Sequence, residues 1–177
     1  MQKVENSGFE RCNKKNDFFR NAHDQILIEI LFIQIQNPKI SQSGFVGIES
    51  LKSLQILHVG GSKRIDDECM RCLSKMESLQ ILNVAHCELI TDKGLSFLPH
   101  CLQTLNIKDN PSITWQGLTR LNFLKILNIA GCKHLFQGGT DSKTIEDYSQ
   151  EILPLFRNMQ KLTISEKKEK ETMKKDA

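Results

Sequence analysis

Long apolar runs, tryptophan, tyrosine and charge of one sign are all scarce in this chain of 177 residues. The nearest approach to an apolar run, "ILIEILFIQI" at 26–35, is broken by Glu29 and Gln34. It is shorter than the ~18 residues a spanning helix needs, so no membrane insertion is expected. With 24 basic and 21 acidic residues the formal net charge is +3. No basic stripe for phosphate neutralisation stands out, which argues against nucleic acid as a partner. The first twenty residues lack an apolar signal core and hold Glu5, Glu10 and Asp17, which makes a poor transit peptide.

Catalytic patterns are missing too. Gly60-Gly61 and Gly138-Gly139 lack the third glycine or the Lys-Ser/Thr of a phosphate loop, and "GLSFL" lacks the far glycine of a nucleophile elbow. The five histidines, at 23, 58, 86, 100 and 134, are scattered and have no nucleophile to orient. Cys69 and Cys72 form a C-x-x-C inside a helical pattern, with no second ligand pair at metal-binding spacing. The expectation is a non-enzyme with no catalytic residue, cofactor or metal site.

What the chain does have is repetition. Leu54, Leu57, Val59 and Ser62 are echoed by Leu79, Leu82, Val84 and Cys87. The same spacing returns in Leu102, Leu105, Ile107 and Asn110, and in Leu124, Leu127, Ile129 and Cys132. Each copy has a further aliphatic eleven residues after its first leucine: Ile65, Ile90, Ile113 and Leu135. A weaker upstream copy runs Ile30, Ile33, Ile35, Ile40, and Met159, Leu162 and Ile164 form a last fragment. Alternating apolar residues around the second leucine predict a strand with one buried face. Ser41, Asp66, Thr91 and Thr114 then stand where a helix N-cap would, each ahead of a short apolar-periodic segment. One strand and one short helix cannot bury their own apolar faces, so the units must stack. In such a stack Cys87 and Cys132 fall in the same inward slot as Ser62 and Asn110. Slots two repeats apart lie roughly 10 Å from each other, beyond disulfide reach.

This pattern resembles the leucine-rich repeat, whose period is roughly 20–29 residues. Ile90, Thr91, Asp92, Gly94 and Leu95 look like the Ile-Thr-Asp-x-Gly-Leu segment of its cysteine-containing subfamily. "ITWQGL" departs from that segment at Trp115, and "IDDECM" at Cys69. The resemblance covers about residues 30 to 135. It implies an α/β leucine-rich-repeat solenoid, with a curved parallel sheet on the concave face and short helices on the convex face. It also implies a non-catalytic protein-interaction module. Such repeats occur in substrate receptors of F-box ubiquitin ligases, in the antagonist of mitotic exit, and in ATP synthase subunit s (coupling factor B). An adaptor for substrate recognition, cytoplasmic or nuclear, is therefore the leading expectation. It would work within a larger complex, with the F-box supplied in trans because the 29 residues ahead of the repeats are too few for one. A mitochondrial assembly or regulatory factor is the alternative.

Three divisions are expected: a polar N-terminal segment or cap over 1–29, a repeat domain over 30–165, and a disordered charged tail over 166–177. Ile145, Tyr148, Ile152, Phe156 and Met159 recur at helical spacing, which predicts a capping helix near 141–159 with Asp141 or Ser142 as N-cap and Pro154 as a kink. Residues between the buried aliphatics form columns across the strand face. One runs Phe32, Ile56, Ile81, Thr104, Ile126, Lys161; the next runs Gln34, His58, Asn83, Asn106, Asn128, Thr163. A third, mostly small column, Gln36, Gly60, Ala85, Lys108, Ala130, Ser165, is expected to point outward with them. The predicted partner-binding residues are Phe32, Ile56, His58, Ile81, Asn83, Thr104, Asn106, Lys108, Ile126 and Asn128.

Overall fold

A computed structural model of the chain describes residues 3–4, 32–34, 42–135 and 159–164. Its strands are β1 (Lys3–Val4), β2 (Phe32–Gln34), β3 (Ile56–His58), β4 (Ile81–Asn83), β5 (Thr104–Asn106), β6 (Ile126–Asn128) and β7 (Lys161–Thr163). They form one sheet in strict chain order, with every neighbouring pair parallel. β1 was not anticipated, since two residues are too few for alternation to show. The helices are α1 (Gln42–Phe45), α2 (Asp67–Cys72), α3 (Asp92–Leu95) and α4 (Trp115–Leu118). Strands need only ~4.8 Å per rung whereas packed helices need about 8–10 Å, so a stack of this kind curves with its strands inside.

Each strand from β3 to β6 is three residues long because only its central leucine has a core to enter. Leu57, Leu82, Leu105 and Leu127 are fully buried, and the leucines and aliphatics of the same repeats close around them. Burying each such side chain contributes about 1.5–3 kcal/mol, which the isolated repeat could not collect. The last strand is seated in the same way: Met159 and Leu162 are buried and Ile164 packs against the core.

After β3, β4, β5 and β6 the chain turns inward through one residue in the left-handed region: Gly61, His86, Asp109 and Gly131, with φ of 82°, 57°, 55° and 73°. That turn delivers Ser62, Cys87, Asn110 and Cys132 into fully buried slots, as the repeat register predicts. There the side chains meet backbone carbonyls of their own and the preceding repeat. The Cys132 thiol donates to the Ile107 carbonyl at 3.1 Å, and Cys87 lies 3.7 Å from the carbonyls of Val59 and Ala85. The Asn110 amide donates to Val84 and Ile107, both at 3.0 Å. Cys69, Cys72, Cys87, Cys101 and Cys132 are all free thiols.

Three of the four expected N-caps are in place. Asp66 accepts from the Cys69 amide, Thr91 from that of Lys93, and Thr114 from that of Gln116. Ser41 lies outside the described residues, as do Ile30, Ile35, Ile40, the helix expected near 141–159 with its cap and kink, and the tail over 166–177. Neighbouring helices are also clamped to each other. Asp67 of α2 accepts from the Thr91 amide at 2.8 Å and from its hydroxyl at 2.7 Å. Asp92 of α3 grips the amide and hydroxyl of Thr114 in the same way. Thus the N-cap of one repeat is held by the first helical residue of the repeat before it.

Candidate functional site

The strand face is the one surface where the predicted binding residues come together. Strand register aligns Phe32, Ile56, Ile81, Thr104, Ile126 and Lys161 rung by rung, and beside them Gln34, His58, Asn83, Asn106, Asn128 and Thr163. Ile56, Ile81 and Thr104 are half-buried, because each is shielded by its neighbours across the rungs. Ile126 is open at 36% exposure, one of the few large apolar side chains so exposed among the described residues. The backbone of Phe32 sits in the column beside Ile56; its side chain lies outside the described residues.

The amide column has an internal duty that sequence spacing does not reveal. Each asparagine closes a local turn at the end of its strand. The Asn83 side-chain oxygen accepts from the Ala85 amide, that of Asn106 from the Lys108 amide, and that of Asn128 from the Ala130 amide, all at 3.1 Å. Such a side-chain acceptor two residues upstream is the standard local use of Asn at a turn. With the oxygen committed inward, the NH2 end of each amide is the part left to face outward, half-buried at the strand surface. His58 occupies the same position on β3, and burial lowers its pKa, which favours the neutral imidazole.

The third column corrects the sequence reading. Ala85 and Ala130 are 7% and 2% exposed and belong to the turn, not to an outward stripe. The strand has ended by then, so the two-residue alternation that predicts an outward direction no longer applies. Lys108 is the polar member of that column. Its ammonium lies 3.7 Å from the Asp109 carboxylate, with its side chain 22% exposed. His86 approaches the same carboxylate at 3.4 Å.

A further column was missed, one step before the first: Gln55, Gln80, Gln103, Lys125 and Gln160. The backbone carbonyls of Gln55, Gln80, Gln103 and Lys125 each accept two amides from the next rung, as Gln55 does from Gln80 at 2.8 Å and Ile81 at 2.9 Å. The Lys125 ammonium donates to the Gln103 side chain at 3.0 Å. The repetition of Gln at this register position was the available signal.

The thiols of Cys69, Cys87 and Cys132 lie on the other side of the sheet, in the core. Burial pushes Cys69 up to about 12 and Cys87 up to about 11, and raises Cys132 as well. Cys69 is fully buried, and Cys72 donates to the Glu68 carbonyl at 3.5 Å. No group of three His, Cys, Asp or Glu placed to hold a metal occurs among the described residues.

Residues 75–98 match the family described as Leucine Rich repeat. That stretch carries β4, the buried slot of Cys87, the Thr91 cap and α3. The repeats on either side of it share its strand register and its left-handed turn. The fold is a leucine-rich-repeat solenoid, and a leucine-rich repeat is typically a module for binding other proteins. No helix among the described residues is long and apolar enough to cross a membrane.

Proposed function

We propose that this chain is a non-catalytic adaptor whose protein partner seats on the strand face. The supporting observation is the register that sets Ile56, Ile81 and Ile126 in one column beside the asparagines, at the outer surface of a sheet whose other side is the core. Apolar residues aligned on a surface and rimmed by polar groups mark interaction sites. The site centres on Ile56, His58, Ile81, Asn83, Thr104, Asn106, Ile126 and Asn128, with Phe32 and Lys108 at its margins. Likeness of the Ile-Thr-Asp-x-Gly-Leu segment to the cysteine-containing repeats makes substrate recognition for an F-box ubiquitin ligase the leading specific role.

The test is capture of partners by the tagged full chain, wild type beside the double variant Ile81→Gln/Ile126→Gln. These substitutions remove apolar surface without adding charge. Because both positions are partly exposed, the variant should stay within about 1 kcal/mol of wild-type stability. Specific partners should fall by tenfold or more, as expected when central apolar contacts are lost. Ligase scaffold proteins among the lost partners support the adaptor role. Respiratory or ATP synthase subunits in their place make the chain a mitochondrial factor. Undiminished capture moves the interface off the strand face.

A further inference from the structure

The strand face has a consistent hydrogen-bonding polarity. Asn83, Asn106 and Asn128 each spend their side-chain oxygen on a backbone amide two residues ahead. Their NH2 groups therefore form three donors in a row, one per rung, with ~4.8 Å between rungs. Around these neutral donors stand three lysines: Lys108 beyond the strand ends, Lys125 before β6, and Lys161 in β7. No Asp or Glu occurs in any described strand or in the glutamine-rich column that precedes them. Asp109, in the turn after β5, is already approached by His86 and Lys108. The chain as a whole is close to charge balance, so this segregation belongs to the face and not to the composition.

We propose that the surface reads an acidic, extended peptide segment of its partner, whose carboxylates take the outward NH2 groups of Asn83, Asn106 and Asn128 while an apolar side chain rests on the Ile56–Ile81–Ile126 column. This rests on the reading of the strand face as the interface and adds the chemistry of what it binds. The pitch fits. Three rungs span roughly 10 Å, and an extended peptide presents alternate side chains every ~6.8 Å, so two carboxylates two residues apart reach neighbouring donors on their flexible stems. A carboxylate only accepts hydrogen bonds, so it satisfies an amide NH2 that a lysine or arginine would leave opposed. The lysines add long-range attraction that salt will screen.

The test uses purified full-length chain and a fluorescein-labelled Glu-Val-Glu-Val-Glu-Val-Glu peptide, with the Lys-for-Glu peptide as counterpart, followed by fluorescence anisotropy. The Glu peptide should bind at least tenfold more tightly than the Lys peptide, and more weakly as salt rises from about 0.05 to 0.5 M. The triple variant Asn83→Asp/Asn106→Asp/Asn128→Asp is the discriminating one. Aspartate keeps the inward acceptor for the backbone amide, so the thermal melt should be preserved, but it presents a carboxylate where the donor stood. Binding of the Glu peptide should fall at least tenfold. The single variant Asn106→Asp, with a smaller loss in the same direction, serves if the triple variant melts early. Equal binding of the two peptides, no binding of either, or full binding by the aspartate variants overturns the proposal. The strand-face interface would survive that result as long as Ile81→Gln/Ile126→Gln still loses partner capture.

Discussion

Gly94 and Gly117 are small for a reason outside their own repeats. A β-carbon on Gly94 would collide with the Asp67 carboxylate, and one on Gly117 with that of Asp92. Each aspartate needs that space to reach the next N-cap threonine, so in "ITDKGL" Thr91 and Gly94 serve the clamp with Asp67 of the repeat before, and Asp92 makes the clamp to Thr114 of the repeat after. At position 69 the glycine is replaced by Cys, and there the preceding repeat has Gln42 in place of the aspartate. Gly94→Ala should therefore destabilise the fold by about 1–3 kcal/mol, in the range of overpacking. In an Asp67→Ala background the same change should cost clearly less, though not nothing, because Ile90 and Met70 also crowd the site. Chemical denaturation of the four proteins of this cycle measures the coupling, and additive effects would exclude the clamp.

At the scale of elements, the helices are very short and the sheet carries the order. Six residues in α2 and four in α3 are below the length at which a helix holds itself, so tertiary packing maintains them. The strands are equally brief, yet each central leucine is buried and each edge is paired on both sides through β2 to β6. Leu82→Ala, at the middle of β4, should cost roughly 2–5 kcal/mol, read as a lower midpoint in a urea melt. An unchanged midpoint would mean the residue is not a rung of the stack. The strand cores and N-caps were legible because leucine spacing and Ser/Thr/Asp caps are local signals. β1 and the inward turn of Ala85 and Ala130 were not, since one is too short to show a period and the other depends on where the strand stops.

For the whole molecule, the buried thiols tie stability to alkaline pH. The folded pKa values of Cys69 and Cys87, about 12 and about 11, lie above those of exposed thiols. Once the pH passes the unfolded value near 8.5–9, the unfolded chain releases protons that the folded chain keeps, so unfolding becomes easier as pH rises. Each thiol should contribute a loss on the order of 1 kcal/mol per pH unit in that window. Melts at pH 7, 9 and 10.5 should show this decline, and Cys87→Ala should flatten part of it, from a lower starting stability. An equal alkaline loss in Cys87→Ala would assign the effect to other groups.

The sequence by itself determined the repeat, the identity of the rung leucines, the inward slot shared by Ser62, Cys87, Asn110 and Cys132, and the two columns, those of Ile81 and Asn83, that face away from the core. These follow from spacing, because side-chain direction along a strand alternates and a stack repeats it. Only the tertiary structure decided how those outward residues are used. The asparagine oxygens turn back to cap their own chain, the small column closes into the turn, and Asp67 and Asp92 reach across to the next repeat. Each of these depends on distances between groups brought together by stacking, and no periodicity within a single strand or helix encodes them.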